Sequence, residues 1–295
     1  MPNIERVYFT HDEIQQRPNK RYFTEDRHQI HYHFRPARPA NLCVTRDPIS
    51  GEVNVSAGTI GPLTWTPYTM CLHIQIKGSR HTYENLLATK ECVIGLPGRE
   101  LVDETWFTAL PLPRGVEEAA VAGLHYCEPK HIKVPGILEC PVNFECVVEH
   151  HIDYYTHGIF FIRVLGANID ERVLSMRREE VVHWFPTYEV DDITNEFGGS
   201  VERLGVMGEL FPCPAYPRAS KAGWYQSYEI WMRDLRDGGY LTDVECERAI
   251  ERKQEYAALF EDLANPRRAE LRQNITDMAA ALVRLDWDRV HALLA

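Results

Sequence analysis

The chain is short of several features that mark whole classes of protein. It has no uninterrupted apolar run of roughly 18 residues, so no transmembrane helix is expected. Its opening, Met1-Pro2-Asn3-Ile4-Glu5-Arg6, is polar and unlike a signal peptide. The eight cysteines contain no CxxC pair and are scattered through apolar, strand-like runs, as buried free thiols of a reduced, cytoplasmic protein would be. Positive charge is scarce: 32 Lys and Arg against 43 Asp and Glu leave a net charge of -11. That balance excludes a nucleic-acid or anionic-membrane surface, which needs clustered cations. No Gly-x-Gly-x-x-Gly run opens a helix after a strand, which removes a Rossmann domain. Gly-x-Ser-x-Gly and His-Glu-x-x-His are missing too, and with them the hydrolase elbow and the zinc helix.

What remains is ample for a core: 295 residues at 44% hydrophobic content suit one or two domains. Residues 1–40 read as a polar, aromatic-rich arm ending in Arg35-Pro36-Ala37-Arg38-Pro39, where two prolines interrupt regular structure. His31 and His33 alternate with aromatics there, as a surface strand or as two ligands lacking a third. Residues 41–176 read as strands joined by short helices. Asp47-Pro48-Ile49-Ser50-Gly51 suits a hairpin turn. Glu139 to Glu149 alternates with a period of two through Cys140, Val142, Phe144, Cys146 and Val148. Gly158 to Val164 is apolar on both faces. Hairpins with helices inserted between them predict an antiparallel, Greek-key type β-barrel with peripheral helices, an α+β fold. Residues 177–295 read as a helical extension: 178–184, 222–235, 243–263 and 266–285 carry helical periodicity. In the last, Leu271, Ile275, Met278, Ala279, Leu282 and Leu285 form one apolar stripe. A proline-punctuated linker at 210–217 precedes the aromatic-rich run Gly223 to Trp231.

The richest stretch runs from Asn54 to Pro97. Val53 to Ala57 reads as a strand and Asn54-Val55-Ser56-Ala57-Gly58 as a small-residue turn, and an apolar strand follows from Cys71 to Ile76. Then Lys77-Gly78-Ser79-Arg80-His81-Thr82-Tyr83-Glu84-Asn85 opens a helix with Thr82 as its N-cap. Ser79, Arg80, His81 and Thr82 lie where helix dipole, hydroxyls and guanidinium converge on a phosphate. A solvated loop with an ordinary cap is the alternative. Lys77 neutralises that phosphate or extends from a strand edge. Asn85 faces back to the loop or is a plain surface residue. Ser56, Ala57 and Gly58 let backbone amides approach a planar ring, or they form an ordinary tight turn. Trp65 and Tyr68 stack on such a ring's rim or belong to the core.

The run NVSAGTIGPLTWTPYTMCLHIQIKGSRHTYENLLATKECVIGLP resembles the flavin reductase-like, FMN-binding split-barrel family. So does the later YYTHGIFFIRVLGANID, which is similar to that family's closing hairpin. The resemblance covers roughly residues 40–173. It implies that Asn54, Val55, Ser56, Ala57 and Gly58 meet the isoalloxazine of FMN, and that Lys77, Ser79, Arg80, His81, Thr82 and Asn85 receive its phosphate. His157 matches the histidine beside the nicotinamide, placed to donate a proton or hydrogen bond; a structural histidine at a strand end is the other reading. The family's aspartate before that histidine is Thr156 here, and its asparagine before Leu-Pro is Gly95. Both departures touch the nicotinamide side, so FMN is better supported than NADH or NADPH. The resemblance further implies a homodimer and hydride transfer from a nicotinamide to flavin, feeding free flavin or a partner monooxygenase. The alternative is an FMN-dependent enzyme for one small organic substrate, with the C-terminal helices covering the flavin as lid or as dimer interface. A non-catalytic split barrel is a third.

Overall fold

Asp47 organises the first hairpin. In the computed structural model its carboxylate accepts the amides of Ile49 and Ser50, each at 2.8 Å, which turns the chain between β1 (Arg38–Arg46) and β2 (Val53–Trp65). The structure describes residues 8, 10, 12–13, 38–75, 81–185, 187–194, 200–206, 209–211 and 227–295. β3 (Tyr68–Gln75), β4 (Glu91–Leu96), β7 (Val142–Tyr154) and β8 (His157–Ile169) complete a barrel with β1 and β2. The order is β1-β2-β3-β8-β7-β4, and β4 returns to β1 through Leu42↔Gly95 and Val44↔Val93, every pairing being antiparallel. Six strands thus close into a barrel, although part of β2 keeps one edge unpaired among the described residues. β5 (Tyr126–Cys127) and β6 (Gly136–Ile137) form a separate small ladder.

The barrel's inward face follows from strand alternation. Ile60, Leu72, Cys92, Ile94, Cys146, Phe160 and Ile162 are buried together there. Leu86 and Tyr83 of α1 (His81–Thr89) plug into the same cluster. The opposite faces of β1 and β2, through Leu42, Val44 and Val55, pack under Ala119 and Ala122 of α3 (Glu118–Ala122). Between α1 and α3 lie a 3-10 turn at Arg99–Leu101 and α2 (Val102–Phe107). Among the described residues seven cysteines are free, with Cys43, Cys92 and Cys146 buried in the barrel interior. β7 begins at Val142, so Cys140 sits just before the strand instead of on its face.

Past the barrel, α4 (Glu171–Ser175) and α5 (Arg178–Trp184) lead into β9 (Tyr188–Thr194), β10 (Ser200–Val206) and β11 (Glu209–Phe211). The helical extension expected from 177 onward is therefore corrected between Tyr188 and Phe211, where three strands stand. β9 pairs with the first residues of β1, Arg38↔Glu189 and Pro39↔Tyr188, so the sheet continues outward from the barrel. Pro39 does not break that strand, because proline is tolerated at a strand's start. Residues 1–37, apart from a few, lie outside the described residues, and His31 and His33 with them.

Four helices follow: α6 (Tyr228–Asp237), α7 (Asp243–Ala258), α8 (Pro266–Val283) and α9 (Trp287–Leu294). Their starts are capped as the sequence dictates. Thr242 and Glu245 form a reciprocal capping box, and Asn265 caps α8 with Pro266 in its first turn. Leu271, Ile275, Met278, Ala279 and Leu282 are buried along α8, each large side chain worth roughly 1.5–3 kcal/mol on burial. Leu285 leaves the stripe: it follows the helix with a φ of 57° and is exposed. These helices do not make a core of their own. Leu110, Leu112, Val116 and Val121, from the segment around α3, belong to the same apolar cluster. A partly buried ion pair ties the two parts together: Arg268 of α8 meets Glu52 of the first hairpin at 2.9 Å. No helix among the described residues is long and apolar enough to cross a membrane.

Candidate functional site

β2 has β1 along one edge, and β3 begins to pair with the other only at Thr59↔His73. Asn54 to Gly58 thus have no strand on their second edge among the described residues. The strand read from Val53 to Ala57 is observed, and the turn read across Asn54–Gly58 is corrected to strand interior. Side chains alternate accordingly: Val55 and Ala57 pack under α3, and Asn54 and Ser56 point the other way, towards α1. Gly58 lies opposite Asn41, and a Cβ there would stand 3.3 Å from the Asn41 Oδ1. Both polar atoms of the Asn41 side chain are buried without a hydrogen-bond partner.

The helix cap is also corrected. α1 starts at His81, one residue before the expected cap, and the Thr82 hydroxyl accepts a hydrogen bond from Asn54 Nδ2 at 3.0 Å. This bond ties the helix start to the free stretch of β2. Asn85 does not face back to the loop; it is buried and donates from Nδ2 to Thr45 Oγ1 of β1 at 3.1 Å. Lys77, Ser79 and Arg80 lie outside the described residues. Trp65 is 77% exposed at the far hairpin, stacked on Tyr68 at 5.6 Å.

Asn54, Ser56, His81 and Thr82 come together in the wall of one cavity of about 460 Å3. The segment from Thr108 to Arg114 forms a second wall. The helices roof it, through Ser227, Tyr228, Glu229, Lys253, Tyr256 and Phe260. The size lies within the usual range for a small-molecule or cofactor site, about 300–1,000 Å3. Val55, Ala57, Gly58, Asn85 and His157 are not in its lining. His157 instead starts β8 opposite Gln75, with its Nδ1 3.1 Å from the Thr156 hydroxyl.

Three charged groups of the lining escape the sequence reading. Arg114 bonds Asp47 at 2.5 Å and Glu84 at 2.6 Å, with its guanidinium 5.5 Å from the Phe260 ring centre. Burial alone would raise the Asp47 carboxyl, but the amides of Ser50 and Ile49 and the Arg114 guanidinium bring it below its ordinary value. Lys253 pairs with Glu229 across the roof at 2.7 Å. Glu118, at the first position of α3, is buried, and its Oε2 accepts the Val55 N–H at 3.1 Å. Burial pushes its carboxyl up to about 8. The adjacent Glu117 pushes the same way, while Val55 N–H and Arg272 oppose it. One signal for Glu118 was present in the sequence: two acids open an Ala-Ala-Val-Ala helix too apolar to keep both in water.

The flavin reductase like domain family matches residues 34–189, more than half of the chain. This chain belongs to that family. The flavin reductase like domain thus spans the barrel and reaches β9. An uncharacterised protein of Aquifex aeolicus is 30% identical to it over 95 residues, 32% of this chain and 48% of that protein. The Bacillus subtilis protein YwrF is 26% identical over 132 residues, 43% of this chain and 62% of its own. The chain spans about half to two thirds of the length of these relatives. Among solved structures, nitrilotriacetate monooxygenase component B from Bacillus cereus superposes with a TM-score of 0.56 at 18% identity, over 71% of this chain and 99% of its own. Pseudomonas fluorescens 2-nitrobenzoate 2-nitroreductase NbaA gives 0.50 at 14% identity, over 75% and 100%. A Shewanella frigidimarina protein with a split barrel domain gives 0.50 at 15%, over 72% and 98%. At such identities these structures establish the fold alone, and it is the expected split barrel of a flavin-dependent oxidoreductase family.

Proposed function

We propose that this protein is an FMN-dependent oxidoreductase whose flavin lies along the free stretch of β2, with its phosphate towards the start of α1. The observation that carries this reading is the convergence of Asn54, Ser56, His81 and Thr82 on one cavity in a flavin reductase like domain. The donor chemistry suits the cofactor: a helix start with a hydroxyl for an anion, and small or amide side chains for the edge of a flat ring. One donor is already taken, since Glu118 accepts the Val55 amide. Bound FMN would supply the electron chemistry. Asn54 and Ser56 would orient the ring, Thr82 and His81 with Lys77, Ser79 and Arg80 would hold the phosphate, and His157 would serve the nicotinamide side. NADH or NADPH is the proposed reductant, and a cytoplasmic homodimer the proposed assembly.

On the acceptor side, a monooxygenase partner is one reading, taken from the B component it resembles in fold. The roof favours another. Tyr228, Tyr256 and Phe260 cover the cavity, as suits an enzyme that encloses one small organic substrate over its flavin. An absorbance spectrum decides the core of the proposal. Purified protein should bind FMN with a flavin band, and anaerobic NADH or NADPH should bleach it. Absence of FMN uptake would end the flavin reading; uptake without bleaching by either nicotinamide would leave a flavin protein reduced from elsewhere.

A further inference from the structure

Among the described residues, Glu118 is the carboxyl of the cavity lining without a cation of its own. Glu229 has Lys253 at 2.7 Å, and Arg114 is held by Asp47 and Glu84. The charged and titratable groups around Glu118 can be named element by element. Glu117 adjoins it at the start of α3, and Tyr126 of β5 lies close enough to feel its charge. From α8 comes Arg272, but that guanidinium is shared by Glu52 at 3.2 Å, Glu117 at 3.6 Å and the Gly115 carbonyl. β2 offers the Val55 N–H and no charge. Among the described residues, with His81 of α1 the remaining titratable group of the lining near β2, an ionised Glu118 would therefore face the cavity beside Asn54 and Ser56 with only the shared Arg272 to offset it.

We infer that Glu118 makes this cavity proton-linked: an anionic ligand seated against β2 is bound with the Glu118 carboxyl neutral, and binding takes up a proton there. The inference rests on the FMN reading above for its ligand. The physical cause is like-charge repulsion across a buried wall, which neutralising one partner removes. The proton comes from solvent and sits on a Glu118 oxygen; no bond to the ligand forms. Because burial already pushes this carboxyl up to about 8, the switch falls between pH 7 and pH 9.

The test is FMN titration of the apoprotein, read by flavin fluorescence, at half-unit steps from pH 7 to pH 9. The wild type is expected to bind FMN about tenfold more weakly at pH 9 than at pH 7, because only the neutral-Glu118 form binds. Glu118→Gln should hold its pH 7 affinity to pH 9. Calorimetry on the wild type at pH 8, in two buffers of different ionisation enthalpy, should show uptake of about half a proton per FMN. That measurement stands even if Glu118→Gln fails to fold. A wild-type affinity flat from pH 7 to pH 9 with no proton uptake would overturn the inference while leaving the flavin site standing. An equal pH dependence in Glu118→Gln would also overturn it. No FMN binding at any pH would sink the flavin reading and this inference together.

Discussion

Glu118 has a second effect, on the stability of the empty protein. Its carboxyl is raised in the fold, so the neutral form is the one the fold favours. The stability associated with it is complete below the unfolded value near 4.5, declines as pH rises, and is fully lost once pH has passed about 8. Glu118→Gln is accordingly expected to be equal to wild type at pH 4.5 and more stable by roughly 2–4 kcal/mol at pH 8, as urea unfolding would measure. An advantage that persisted at pH 4.5 would mean packing, not charge, was responsible. Residue-scale legibility was uneven. Asn54, Ser56, His81 and Thr82, singled out because their types suit anion and ring chemistry at a strand and helix start, share one cavity wall. Asn85 was not, since a buried asparagine reaching to Thr45 looks in sequence like any polar residue of a first turn. Glu118 and Arg114 escaped because their partners lie 63 and 67 residues away.

At the scale of elements, the β7–β8 pair is the longest ladder in the barrel, and Gly158 is where α1 presses on it. A Cβ at Gly158 would come within 2.5 Å and 2.7 Å of the Tyr83 ring. Tyr83 in turn donates to Asp153 Oδ1 at 2.7 Å, and the same oxygen lies 2.9 Å from His151 Nε2. Gly158→Ala should cost roughly 1–3 kcal/mol by overpacking, read as a lower thermal midpoint. A Tyr83→Leu background should relieve most of that loss; if it does not, the close approach to Tyr83 is not the cause. Strong periods made most elements legible, and α5 occupies the very residues the pattern marked, 178–184. β9, β10 and β11 were missed because charge interrupts their alternation, as in Tyr188-Glu189-Val190-Asp191-Asp192-Ile193-Thr194. At Asn54–Gly58 two signals compete: small residues mark a turn, but the strand read from Val53 to Ala57 is the one that forms, leaving room at its side.

For the whole molecule, the question of a detachable lid has a structural answer. The apolar cluster of α6 to α9 includes Leu110, Leu112, Val116 and Val121 from the barrel's own inserted segment. A chain ending at Phe211 would expose all four to water. Such a chain is expected to aggregate or to lose its single cooperative unfolding transition, seen by size-exclusion chromatography and thermal melting. A monodisperse, cooperatively folding truncation would refute the shared core. The sequence carried the barrel and the helices separately, but their fusion depends on contacts distant along the chain, such as Arg268 with Glu52, 216 positions apart. That fusion bears on inheritance. Any selectivity set by Tyr228, Tyr256 or Phe260 cannot be moved to a sister scaffold by swapping the tail alone; the stretch from Phe107 to Val121 would have to travel with it.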